Sequence, residues 1–265
     1  MNTRGVEGFA HRFIPAHTAG ALTLLLLHGT GGDENDLLEL GRALDGQAAL
    51  LSPRGQVRER GANRWFRRLA EGVFDTDDLL ARTDQLATFV TSATAHYRLD
   101  ASRLIAVGFS NGANIAATLL LRHPHLLRAG VLFAPMVTLN DPPMADLSEV
   151  GVFLAAGRAD PIAPPEQAQR LAEQFIERGA AVELRWHPGG HRIDPHILAQ
   201  ATTWLGKLRA ATKHHRTALN PRLAGLDDLF GADTVTVQHL APDQPRRPSA
   251  APCVDEVRRP GRCCR

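Results

Sequence analysis

Leu104-Ile-Ala-Val-Gly108-Phe-Ser110-Asn-Gly112-Ala-Asn-Ile-Ala-Ala117 decides how the chain is read. It begins as an apolar run of strand length, turns through a serine set between two glycines, and continues as an apolar helical pattern. A serine on so sharp a strand-to-helix turn sits in strained backbone, so the residues two positions to either side must be small. Gly108 and Gly112 satisfy that, and Ala113 continues it. The start of the helix then aims free N–H groups and its dipole at negative charge beside the serine. A pentapeptide G-x-S-x-G alone is equally a chance serine in a glycine-rich turn. With a strand before it and a helix after it, the pattern becomes a nucleophile elbow with Ser110 as the nucleophile.

Outward from the elbow, apolar runs alternate with helical patterns between about residues 7 and 211. Strands are predicted at Leu22–Leu27, Ala48–Ser52, Leu104–Phe109, Gly130–Ala134, Val150–Ala156 and Val182–His187. Helices are predicted at Asp33–Leu44, Leu79–Tyr97, Asn111–Leu121, Pro165–Arg178 and Pro195–Ala211, the last two with proline at the first turn and the last with Asp194 as cap. This alternation implies an α/β protein whose mostly parallel central sheet is covered by helices on both faces.

A serine hydroxyl needs a base to take its proton and a third group to hold that base in the right tautomer. In the α/β-hydrolase fold these follow in the order Ser, Asp, His. Asp160 lies in Gly157-Arg-Ala-Asp-Pro-Ile, directly after the apolar strand Val150–Ala156, and His191 follows the next strand in Pro188-Gly-Gly-His. Both therefore project from the carboxyl ends of strands, where sites in open α/β sheets form. Their rivals are His187, at a strand end; His196, in the last helix; and Asp141 and Asp146, after an earlier strand. The glycine-rich turn Leu27-His-Gly-Thr30-Gly-Gly-Asp-Glu34 is the expected oxyanion loop. It would supply the N–H of Thr30, and the residue after the nucleophile, Asn111, would supply the second N–H. The turn has neither a Lys-Ser/Thr pair after its glycines nor G-x-G-x-x-G spacing, so a phosphate cradle does not fit. His28 is expected to shape the loop rather than act as a base.

Composition removes other classes. The 265 residues are 44% hydrophobic and 22% charged, suited to one large globular domain. The net charge of +2 lies in the tail. Residues 213–265 hold nine basic and six acidic side chains, against 21 and 22 in 1–212. Nothing in the first 212 residues therefore argues for a nucleic-acid partner. No apolar run approaches the roughly 20 residues of a membrane span, and the amino-terminal residues lack the apolar run of a secretory signal, so a cytoplasmic location is expected. One catalytic domain, 1–212, is therefore expected, followed by 213–265, a Pro/Arg-rich extension expected to be largely disordered. Cys253, Cys263 and Cys264 all lie in that extension, too few and too clustered for a disulfide framework and without metal-ligand spacing. No metal or cofactor is called for.

Residues 7–211 resemble the phospholipase/carboxylesterase family of α/β-hydrolases, most closely its bacterial hydroquinone-stress-associated carboxylesterase subgroup. The likeness rests on Leu24-Leu-Leu-Leu-His-Gly-Thr-Gly-Gly-Asp-Glu-Asn-Asp-Leu37, Arg64-Trp-Phe-Arg-Arg-Leu-Ala-Glu-Gly-Val-Phe-Asp75, Gly108-Phe-Ser-Asn-Gly-Ala-Asn114 and Gly157-Arg-Ala-Asp-Pro-Ile162. It implies a metal-free ester hydrolase with little or no lid and frequent homodimers. It also implies that Trp65 and Phe66 approach the cleft as an aromatic wall for a small-molecule ester, the alternative being that Phe66 and Leu69 anchor the loop while its arginines face water. Phe109 and Met136 are further substrate-binding candidates. Relatives often place Gln-Leu or Gly-Leu after the histidine where this chain has Arg192-Ile193, and 213–265 have no counterpart in the resemblance. Three other readings stand beside a serine carboxylesterase. A thioesterase or lysophospholipase would use the same machinery, a non-catalytic binding module would lack one of its parts, and a dienelactone-type hydrolase calls for cysteine at the place of Ser110.

Overall fold

The computed structural model describes residues 2–70 and 72–217. The expectations for 218–265, including the three cysteines, lie outside the described residues. Eight strands form one sheet: β1 (Asn2–Val6), β2 (Phe9–Ile14), β3 (Thr23–Leu27), β4 (Ala49–Pro53), β5 (Leu104–Phe109), β6 (Ala129–Phe133), β7 (Gly151–Gly157) and β8 (Ala181–His187). Their spatial order is 1-2-4-3-5-6-7-8. β2 pairs antiparallel with β1 and β4, and every other pairing is parallel. The mostly parallel sheet expected from the alternation is present.

The central strands are apolar on both sides because both faces are covered. In β3, Leu25 and Leu27 join one cluster and Leu24 and Leu26 the other; in β5, Leu104 and Ala106 oppose Ile105 and Val107. Helices α2 (Thr76–Tyr97), α3 (Asn111–Arg122) and α4 (Pro165–Ile176) pack on the first face through residues such as Phe89, Ile115 and Phe175. Helices α1 (Leu38–Leu44) and α5 (Pro195–Thr217) cover the second through Leu44, Ile197, Ala201 and Leu205. Each fully buried leucine in these layers contributes roughly 1.5–3 kcal/mol of transfer free energy.

The elements differ from expectation where local chemistry intervenes. α1 starts at Leu38 rather than Asp33, because Asp33 Oδ1 accepts from the Asn35 N–H at 2.7 Å and closes a side-chain turn that competes with helix. α2 starts three residues earlier than predicted, at Thr76, because Asp75 caps it by accepting from the Asp78 N–H at 3.1 Å. Asp194 caps α5 as expected, with Oδ1 2.9 Å from the His196 N–H, but the helix continues past Ala211 to Thr217, so the boundary at 212 falls within a helix. Between β4 and α2 lie two antiparallel ribbons that the sequence reading did not resolve: Val57–Glu59 with Ala62–Arg64, and Arg68–Ala70 with Val73–Phe74. Among the described residues, no helix is long and apolar enough to cross a membrane.

Candidate active site

Parallel strands deliver their following loops to one edge of the sheet. β3 leads to Thr30, β5 to Ser110, β7 to Asp160 and β8 to His191. At the end of β5 the backbone turns at Ser110 with φ 53° and ψ −118°, a conformation that costs a non-glycine residue on the order of 1–3 kcal/mol. The surroundings enforce it. A Cβ on Gly108 would stand 2.6 Å from both the Ala113 nitrogen and the Gly112 oxygen, and one on Gly112 would overlap the Leu27 carbonyl. The Ser110 N–H donates to the Phe133 carbonyl at 2.9 Å, which ties the turn to the end of β6.

Ser110 Oγ lies 2.8 Å from His191 Nε2, and His191 Nδ1 lies 2.8 Å from Asp160 Oδ2. The other carboxylate oxygen, Oδ1, accepts from the Ile162 N–H at 2.8 Å and the Ala163 N–H at 2.9 Å, and the Asp160 side chain is wholly buried. The two loops are also joined directly: the Arg158 N–H donates to the His187 carbonyl at 2.8 Å and the Ala159 N–H to the Gly189 carbonyl at 3.2 Å. Gly157 permits this approach, since a Cβ there would stand 2.6 Å from the Gly190 oxygen. The rivals lie elsewhere. His187 is buried at the end of β8, His196 is exposed on α5, and Asp141 and Asp146 are exposed.

A cavity of about 350 Å³ opens over Ser110 and His191. Of the expected substrate contacts, Phe109 and Met136 line it, as do Thr30 and Asn111. Trp65 and Phe66 do not. Both are buried one layer behind, where indole Nε1 donates to the His28 carbonyl at 2.8 Å and the Phe66 ring meets Phe74 edge-on at 5.2 Å. Phe74 lines the cavity instead, as do Arg64 and Arg68. Arg64 does not face water either, since its side chain is 4% exposed. Asn114 and Ile162 are further lining residues that the sequence reading passed over. A signal existed for one of them. Asn114 is a polar residue one turn beyond Asn111 on an otherwise apolar helix, and its Oδ1 accepts from the Met136 N–H at 2.8 Å.

The loop bearing Thr30 is held from three sides. The Gly31 N–H donates to the Asn63 carbonyl at 2.8 Å, Asn63 Nδ2 donates to the Gly32 carbonyl at 2.8 Å, and Arg64 Nη1 donates to Thr30 Oγ1 at 2.8 Å. His28 holds its base, as expected: Nδ1 donates to the Gly29 carbonyl at 2.6 Å while Nε2 accepts from the Gly55 N–H at 2.9 Å. Burial lowers the His28 pKa, which suits a neutral ring with one donor and one acceptor. Asn111 begins α3, so its own N–H has no partner one turn back within the helix. Its side-chain Oδ1 accepts from the Trp65 N–H at 2.8 Å. The site therefore combines a hydroxyl, an imidazole and a buried carboxylate in one hydrogen-bonded line. Among the described residues, no cluster of three or more His, Cys, Asp or Glu side chains is set to hold a metal.

Residues 12–209 match the phospholipase/carboxylesterase family. The Bacillus subtilis protein MhqD is 44% identical over 181 residues, 68% of this chain and 90% of that one. The chain is also similar to a solved Bacillus cereus carboxylesterase, with a TM-score of 0.74 and 41% identity over 75% of this chain and 94% of that one. A carboxylesterase from Mesorhizobium loti gives a TM-score of 0.73 and 32% identity, covering 78% and 98%.

Proposed function

This chain belongs to the phospholipase/carboxylesterase family of α/β-hydrolases and is an ester-hydrolysing enzyme, and on that premise we propose that it is a serine carboxylesterase acting on small or medium esters, with Ser110, His191 and Asp160 as its triad. One observation carries the assignment: Asp160 to His191 to Ser110 is a continuous line of two 2.8 Å contacts ending at the cavity. The cavity of about 350 Å³ suits a substrate of that size. Every residue named lies within 1–212, which we take as the catalytic domain.

In this mechanism Ser110 Oγ attacks the ester carbonyl carbon while His191 Nε2 takes the hydroxyl proton. The tetrahedral oxyanion is held by the N–H groups of Thr30 and Asn111, each such donor supplying about 10²–10³ in rate. Collapse breaks the bond to the alcohol oxygen, which receives the proton from His191, and leaves the acyl group on Ser110. Water then enters. His191 takes its proton, a second oxyanion forms and collapses, and the acid departs as Ser110 recovers its proton. Asp160 stays ionised, keeps Nδ1 protonated and stabilises the imidazolium.

The test is hydrolysis of p-nitrophenyl esters of graded acyl length, with a matching acyl-thioester series, by the protein and by Ser110→Ala. Esters of short to medium chain should be cleaved, with kcat lower by about 10⁴ or more in the variant. A folded protein inactive on every ester overturns the assignment. A clear preference for thioesters would replace esterase by thioesterase.

A further inference from the structure

We propose that the Thr30 hydroxyl is a third oxyanion donor, held and polarised by the buried guanidinium of Arg64. The inference rests on the esterase reading of the site and adds a catalytic group to it. Arg64 Nη1 donates to Thr30 Oγ1 at 2.8 Å. A guanidinium has donors only, so in this contact the hydroxyl is the acceptor, and its own proton must point elsewhere. Thr30 is exposed and lines the cavity with Ser110. In its gauche rotamers a threonine holds Oγ1 beside its own nitrogen, so Thr30 can offer its N–H and its hydroxyl proton to the same oxyanion in the cavity.

Arg64 is fixed for this purpose. Its side chain is 4% exposed, its Nε donates to the Phe66 carbonyl at 3.2 Å, and Glu59 Oε2 lies 3.2 Å from the same nitrogen. A hydroxyl that accepts from a cation becomes a stronger donor. The β-turn ribbon that carries Arg64 also carries Asn63, whose bonds to Gly31 and Gly32 prevent the loop from turning its donors away. Arg64 acts through Thr30 and is a positioning residue.

The experiment uses the full chain and p-nitrophenyl butyrate, with kcat, KM and thermal stability measured for Thr30→Val, Thr30→Ser and Arg64→Met. Valine keeps the shape and the backbone N–H but removes the hydroxyl. It should lower kcat about tenfold or more, change KM by less than about threefold and lower the melting temperature only by the few degrees expected for one lost partner of Arg64. Serine should restore kcat to within about threefold of the wild type. Inhibition by phenylboronic acid, which forms a tetrahedral adduct, should weaken with Thr30→Val in parallel with kcat, a change that a merely structural role would not produce. Arg64→Met should lower kcat in the same direction, and Thr30→Val made in that background should then cost less than it does alone. Wild-type kcat in Thr30→Val, or equal losses in Val and Ser, overturns the proposal. Activity that survives Ser110→Ala in the same assay overturns the esterase reading instead.

Discussion

Asp160 divides its two carboxylate oxygens between distinct partners: Oδ2 faces His191 Nδ1 at 2.8 Å, while Oδ1 accepts from the Ile162 and Ala163 N–H groups. The backbone donors fix the carboxylate plane, and the plane fixes the imidazole. Asp160→Asn keeps the shape but offers an amide NH2 to Nδ1, which favours the tautomer with its proton on Nε2, where Ser110 needs an acceptor. We expect kcat to fall by about 10³–10⁴ with a small change in KM, measured on p-nitrophenyl butyrate. A loss below tenfold would mean that Asp160 does not orient the base.

Gly112 is sterically required. A Cβ there would overlap the Leu27 carbonyl and stand 2.5 Å from the His28 oxygen, both backbone atoms that cannot swing aside. Gly112→Ala should destabilise the fold by about 3 kcal/mol or more, seen as a shifted urea midpoint. A stability close to wild type would show that α3 can move away from β3.

Asn63 reaches the site only through the loop it holds. Asn63→Ala removes the Nδ2 bond to Gly32 and leaves a carbonyl without its donor. It should lower kcat about tenfold while KM moves less, as loosened oxyanion donors would. Equal changes in kcat and stability-corrected KM would assign it a purely structural role.

Much of this arrangement is legible in the sequence, and the rest is hidden for physical reasons. β3, β5, β6 and β7 are buried on both faces, so they appear as unbroken apolar runs, and the loops after β3, β5, β7 and β8 could be ordered along one edge from those runs alone. β1 and β2 pair at the sheet edge, where a polar run such as Asn2-Thr-Arg carries no such signal. The segment Arg64-Trp-Phe-Arg-Arg shows the opposite difficulty. The family resemblance implies an aromatic wall from Trp65 and Phe66, against the alternative that Phe66 and Leu69 anchor the loop while its arginines face water; the structure buries Trp65, Phe66 and Arg64, leaves Leu69 exposed and sets Phe74 at the cavity. In a ribbon of two or three residues per strand, tertiary contacts rather than periodicity decide which side chain faces inward. The guanidinium of Arg64 can be buried because Thr30, Phe66 and Glu59 meet it, and those partners lie up to 34 positions away in sequence.

Asp84 links α2 to the end of α3, with Arg122 Nε and Nη2 at 2.8 and 2.9 Å and His123 Nε2 at 2.9 Å. The Arg122 hydrogen bonds, aided by His123, outweigh burial and lower its pKa from 3.8 to about 2. A folded value below the unfolded one means that this stabilisation is complete above about pH 4 and is lost as the pH falls toward 2. With the carboxylate 46% exposed and screened by water, Asp84→Asn should cost about 1 kcal/mol or less at pH 7. The difference in melting temperature between variant and wild type should shrink between pH 4 and pH 2. A gap that stays constant across that range would show that the Asp84 charge does not contribute.

Activation of the Ser110 hydroxyl by His191 can be read by covalent capture. The folded protein would be treated with a fluorophosphonate and the modified peptide mapped by mass spectrometry. A single adduct on Ser110 is expected, absent in Ser110→Ala and formed at least about 100-fold more slowly in His191→Ala. No adduct on the folded wild-type protein, or labelling of Ser110 at the same rate without His191, would contradict it.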